Sequence, residues 1–245
     1  MKPATKNVFL GFDMGSISAV LTLAVLFYWV LNGDDKRAVK PMDYLLIDTS
    51  PSLPTNRFDA INENIDDIID HLREDRNLTI YGLSDNGIQN KVLIEVNPQA
   101  NTGAAKNVAI AAAKQTWKDA EAQFFQNKPK SSPIYETLED ITLETHYDKD
   151  DSRIFIISDL IQISPKLSLI NPTQPNQVFG SMFKRLPEKE NQIFLMRQPY
   201  DFIQNSDSTP GQRSQAYEYF LIQLTKNRSI RDCNTWKEFK KFIEE

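Results

Sequence analysis

The chain has 245 residues, 40% apolar and 25% charged, a folded-protein composition that excludes long disorder and holds one sizeable domain plus an anchor rather than two full cores. Residues 1–40 carry five of the 28 basic and three of the 33 acidic side chains, leaving 23 basic and 30 acidic beyond them. That acidic body with no basic stripe is a poor candidate for binding phosphate backbones, and the single cysteine, Cys233, excludes an intrachain disulfide.

The first element, residues 8–31, reads VFLGFDMGSISAVLTLAVLFYWVL and carries no charge from Ser16 onward. A membrane span needs about 20 largely apolar residues, so this stretch is expected to cross a bilayer. Asp13 then lies at headgroup depth, with Tyr28 and Trp29 at the opposite interface. No small-residue cleavage site follows, so a removable signal peptide is not expected. Lys2 and Lys6 on one side nearly balance Lys36, Arg37 and Lys40 on the other. The short N-terminal tail favours an inner-membrane (cell-membrane) anchor with the domain on the extracytoplasmic side. The expected organisation is a tail and transmembrane helix over 1–32, a charged linker over 33–41, and an α/β domain over 42–245.

Residues 42–47 form an apolar run broken only by Asp43, which predicts a buried strand. Residues 56–75 follow, with Phe58, Ile61, Ile65, Ile68, Ile69 and Leu72 at helical spacing and a polar opposite face. Residues 78–85 and 91–96 read as two strands joined through an Asp-Asn-Gly turn, an antiparallel hairpin. Residues 104–126 are rich in helix formers. A break at NKPKSSP precedes a helix over 134–147, with Ser131 or Ser132 as its N-cap and Pro133 in its first turn. RIFIISD, residues 153–159, is the clearest buried strand. A proline-rich connection with a short helical piece over 179–185 leads to a third core strand within 192–200. Helices over 211–227 and 235–245 complete the chain. The alternation predicts a doubly wound, mostly parallel sheet covered by helices on both faces.

In such sheets ligands bind beyond the carboxyl ends of the strands. Asp48 and Asp159 each end an apolar strand, and Ser50 and Ser52 follow Asp48 at alternate positions in a loop stiffened by Pro51 and Pro54. Acids and hydroxyls without a thiol or imidazole make a hard oxygen set, suited to Mg²⁺, Mn²⁺ or Ca²⁺ rather than zinc or copper. A turn composition alone would also account for Asp-Thr-Ser-Pro-Ser, since both residue types bond their own backbone.

IDTSPS, residues 47–52, resembles the D-x-S-x-S signature of von Willebrand factor type A domains, and the ordered elements extend the resemblance over residues 43–224. The resemblance implies a metal-ion-dependent adhesion site made of Asp48, Ser50, Ser52, Asp159 and a hydroxyl from a later loop. It also implies a cation, Mg²⁺ or its stand-ins Mn²⁺ and Ca²⁺, with one position filled by an acid of a partner protein. The chain departs from the pattern twice: Ser132, with Ser131 beside it, stands where the family has threonine, and Leu160 stands where glycine often follows the last aspartate. The implied protein is a membrane-anchored, bacterial-type binding module with a protein partner and no nucleic acid.

Two alternatives stay open: a metal-free scaffold subunit of a membrane complex, and a metal-dependent phosphohydrolase with Asp48 as nucleophile. The latter chemistry needs a second acid two residues on, where Ser50 stands. No phosphate loop, H-E-x-x-H pair or G-x-S-x-G elbow occurs, so catalysis is not expected. His71 and His146 lie apart among charged residues and read as surface histidines. The aromatic residues Trp117, Phe124, Phe125, Tyr217, Tyr219 and Phe220 read as packing.

Overall fold

A computed structural model describes residues 40–49, 55–85, 87–96, 102–126, 130–158, 160, 164–167, 175–189, 192–197, 222 and 230–245. The expected span over 8–31 lies outside them, as does the helix over 211–227 apart from Ile222. Among the described residues no helix is long and apolar enough to cross a membrane.

Among the described residues six strands form one sheet: β1 Met42–Ile47, β2 Asn77–Ser84, β3 Gly87–Ile94, β4 Arg153–Ser158, β5 Ile193–Arg197 and β6 Ile230–Cys233. Their order is β3-β2-β1-β4-β5-β6, with β3 antiparallel to β2 and every other pair parallel. The described helices are α1 Thr55–His71, α2 Gly103–Gln126, α3 Ile134–Ile141, α4 Pro175–Arg185 and α5 Trp236–Glu244.

Strand side chains alternate between the two faces of a sheet, so the apolar runs divide between two cores. Leu45, Ile47, Phe155, Ile157, Phe194 and Met196 pack with α1, α2 and α5 through Ile61, Ile65, Trp117 and Phe239. Tyr44, Leu46, Ile154, Ile156, Ile193 and Leu195 pack with α3 and α4 through Ile134, Leu138, Phe179 and Met182. This two-faced burial is why β1 and β4 read as largely apolar runs in sequence rather than as alternating ones. Gly82 lets α2 lie close over β2, because a Cβ there would meet the Phe124 ring at 3.1 Å.

Asp43, the exception in the β1 run, is fully buried. Its carboxylate accepts from Arg153 Nε at 2.8 Å, Arg153 Nη2 at 2.6 Å and Arg76 Nε at 2.7 Å. A buried charge persists only when it is paired in this way. Arg153 also donates to the Phe242 and Ile243 carbonyls at the end of α5. Cations favour a helix C-terminus, so one guanidinium ties the last helix to the start of β1.

Several boundaries differ from the sequence reading. The helix expected over 134–147 ends at Ile141 and continues as turns. Pro133, rather than a serine, occupies its N-cap position, with no side-chain cap. The second hairpin strand begins earlier, at Gly87. β6 has no apolar run to betray it: Arg231 and Asp232 are exposed at its centre, and only Cys233 is buried. It exists because the edge of β5 is there to pair with.

Candidate functional site

From β1 the chain moves to β2 on one side, while β4, β5 and β6 lie on the other. The C-terminal ends of β1 and β4 therefore flank the topological switch point, where a crevice opens in α/β sheets. Asp48 stands immediately after β1, and its N–H donates to the Ile157 carbonyl of β4 at 2.9 Å, extending the ladder by one step.

The Asp48 carboxylate is fully buried. Its Oδ2 accepts the Ser132 hydroxyl at 2.9 Å and the Ser158 hydroxyl at 2.8 Å. These bonds join residues 84 and 110 positions apart, from the segment before α3 and from the end of β4. Ser158 Oγ in turn accepts the Leu160 N–H at 2.9 Å, and Leu160 holds a left-handed φ of 61°. That conformation favours glycine, and here a buried leucine adopts it. Thr49, also buried, donates to the Leu83 carbonyl at 3.4 Å and ties the end of β1 to the end of β2.

Of the five residues expected to form the site, Asp48 and Ser132 are therefore in direct contact, while Ser50, Ser52 and Asp159 lie outside the described residues. The two serine candidates before α3 are distinguished by where their hydroxyls go. Ser132 faces Asp48, and Ser131 donates at 3.1 Å to Asp85 in the β2–β3 turn. Sequence reasoning missed Ser158, which it counted only as part of an apolar strand. Its signal was a lone hydroxyl at the last position of β4.

Elsewhere on α3 the Glu136 carboxylate accepts the buried Ser164 hydroxyl, and the Ser164 N–H donates to the Leu167 carbonyl at 2.9 Å. Leu167 is buried in the α3 and α4 core, so residues 164–167 of the long connection cover that face of the sheet.

The donor set fits a hard cation. Asp48, Ser132 and Ser158 offer only oxygens, with both hydroxyls donating to the one carboxylate oxygen. Among the described residues no three His, Cys, Asp or Glu side chains form a metal-holding group. The set implied by the resemblance needs none, since it contains two acids and three hydroxyls.

No protein-family model matches the sequence, and no curated protein matches it. Solved structures do align. The human COPII-coat protein Sec24c matches 84% of this chain and 32% of its own at 10% identity and a TM-score of 0.51. The pilus adhesin SpaC from Lactobacillus rhamnosus GG matches 83% of this chain and 30% of its own at 14% identity and a TM-score of 0.50. A von Willebrand factor type A structure from Catenulispora acidiphila matches 84% and 42% at 11% identity and a TM-score of 0.46. The chain thus spans less than half the length of each of these structures. Identities this low speak of the fold alone. With six mostly parallel strands flanked by helices among its described residues, the chain shares an α/β fold with Sec24c and SpaC.

Proposed function

We propose that the chain is a membrane-anchored module that binds another protein through a divalent cation at the carboxyl ends of β1 and β4. The observation that carries this reading is the contact between the Ser132 hydroxyl and the Asp48 carboxylate at the switch point. Asp48 and Ser132 would hold the ion with Ser50, Ser52 and Asp159, and Ser158 would orient Asp48. Bound there, Mg²⁺ or a similar cation supplies a positive charge for a carboxylate of the partner protein. The segment 8–31 would anchor the chain in the cell membrane, with the domain on the extracytoplasmic side.

A second reading, a metal-free scaffold within a membrane complex, draws on the same carboxylate. Asp48 Oδ2 already has two protein hydroxyls, and the group is wholly buried.

One experiment separates the two. Membranes holding the full chain are pelleted, the chain is extracted in detergent, and MgCl₂ or MnCl₂ is titrated while the melting temperature is followed. At a hundredfold excess over Kd, binding stabilises by about 2.7 kcal/mol. At about 2–4 °C per kcal/mol, Tm rises by roughly 5–11 °C. Asp48→Ala abolishes the rise, and a chelator releases the captured partner. No shift at millimolar ion, with capture indifferent to chelator, overturns the cation reading in favour of the scaffold. Recovery of the chain in the soluble fraction overturns the anchor.

A further inference from the structure

Asp85 occupies the turn between β2 and β3 and is exposed to solvent. Aspartates in turns ordinarily bond their own backbone about two residues on. Asp85 reaches much further along the chain. Its Oδ1 accepts the Lys130 N–H at 2.5 Å, the Ser131 N–H at 2.9 Å and the Ser131 hydroxyl at 3.1 Å, from residues 45 and 46 positions later. Three donors converging on one oxygen hold the segment in place and in direction more tightly than a single hydrogen bond would. Lys130 is exposed and Ser131 half-buried, so water could satisfy these donors equally well. The clamp's consequence is to fix where the segment lies.

The residue it positions is the next one. Ser132 is held on its C-terminal side by α3, through the Ile134 N–H on the Ser132 carbonyl at 2.9 Å and the Thr137 N–H on the Pro133 carbonyl at 3.0 Å. On its N-terminal side stand the two amides gripped by Asp85. The turn that carries Asp85 is referred in turn to Asp48, because β2 pairs with β1 along its length and Thr49 bonds the Leu83 carbonyl. Hydroxyl and carboxylate are thus brought to 2.9 Å by supports that meet on the same two strands.

We propose that Asp85 is a positioning residue of the strand-end site: it sets the Ser132 hydroxyl against Asp48 and thereby sets the cation affinity. The inference rests on the cation reading of that site. Asp85 acts as a hydrogen-bond acceptor, so the carboxamide of Asn, which keeps one acceptor oxygen, retains the effect and Ala loses it. Partners that orient metal ligands typically govern about 10–100-fold in affinity.

The test uses the full chain in detergent with two variants and two readouts. In Mn²⁺ titrations followed by Tm, Asp85→Ala raises the half-saturating concentration about tenfold or more, while Asp85→Asn stays within about twofold of wild type. In chelator, Asp85→Ala speeds hydrogen exchange at the Lys130 and Ser131 amides by about tenfold, the factor for an opening made easier by one such bond. Unchanged exchange in β4 establishes that the fold is intact. A wild-type midpoint in Asp85→Ala overturns the inference while leaving the cation reading standing. An equal loss in Asp85→Asn overturns it too, by making charge rather than position the cause. If wild type itself shows no cation response, the cation reading falls and the affinity claim with it. Unchanged exchange in Asp85→Ala then overturns the positioning claim separately.

Discussion

Asp43→Ala removes the one anion from a buried cluster at the N-terminal end of β1. Arg153 and Arg76 keep only 10% and 13% of their side-chain surface exposed, so the substitution strands two guanidinium groups that lose their carboxylate acceptor. Breaking a buried pair by removing one partner costs about 3–5 kcal/mol, a large share of the roughly 5–15 kcal/mol that stabilises a domain. At about 2–4 °C per kcal/mol, the melting temperature drops by roughly 6–20 °C. Urea unfolding with Asp43→Ala and Asp43→Asn side by side separates charge from cavity. Asn keeps the volume, so most of the loss persists in it if charge compensation is the cause. Five residue steps along β1, about 16 Å, separate Asp43 from Asp48, and the cation response of the folded variant is expected to match wild type. A cost under about 1 kcal/mol, the scale of an exposed ion pair, would refute the account.

Two further outcomes follow from single side chains. Burial pushes the Cys233 thiol from 9.0 up to about 11, with Glu238 and Asp232 adding to the effect. A raised folded-state pKa contributes stability that is fully present below pH 9 and lost as pH rises through about 11. Urea midpoints measured from pH 8 to 11 should therefore fall more steeply in wild type than in Cys233→Ala, and parallel curves would exclude the thiol as the cause. Leu160→Gly relieves about 1–2 kcal/mol of left-handed strain but empties a buried site worth about 2–5 kcal/mol. A net loss of stability is expected on chemical denaturation, and a more stable variant would show that strain outweighs packing there.

Much of this molecule is legible along the chain. The apolar runs of β1, β4 and β5, broken in β1 only by Asp43, announce strands buried on both faces, because each must feed two cores at once. Ile61, Ile65, Ile68 and Ile69 announce α1 through the period of one helix face. Asp48 is visible as an acid closing a strand, which is enough to point at the crevice. β6 escapes this logic, since Ile230–Cys233 acquires its strand character from β5 rather than from its own residues.

The sequence by itself determined the fold class, the strand-end location of the candidate site and the hard-oxygen character of its residues. These depend on local periodicity and residue type, which a chain carries before it folds. Only the tertiary structure decided that Ser132 rather than Ser131 meets Asp48, that Ser158 joins them, that Asp85 grips the segment between, and that Arg76 and Arg153 neutralise Asp43. Each of those contacts joins residues 33 to 110 positions apart, and pairings at such separations are fixed by the register of the strands and the seating of the helices.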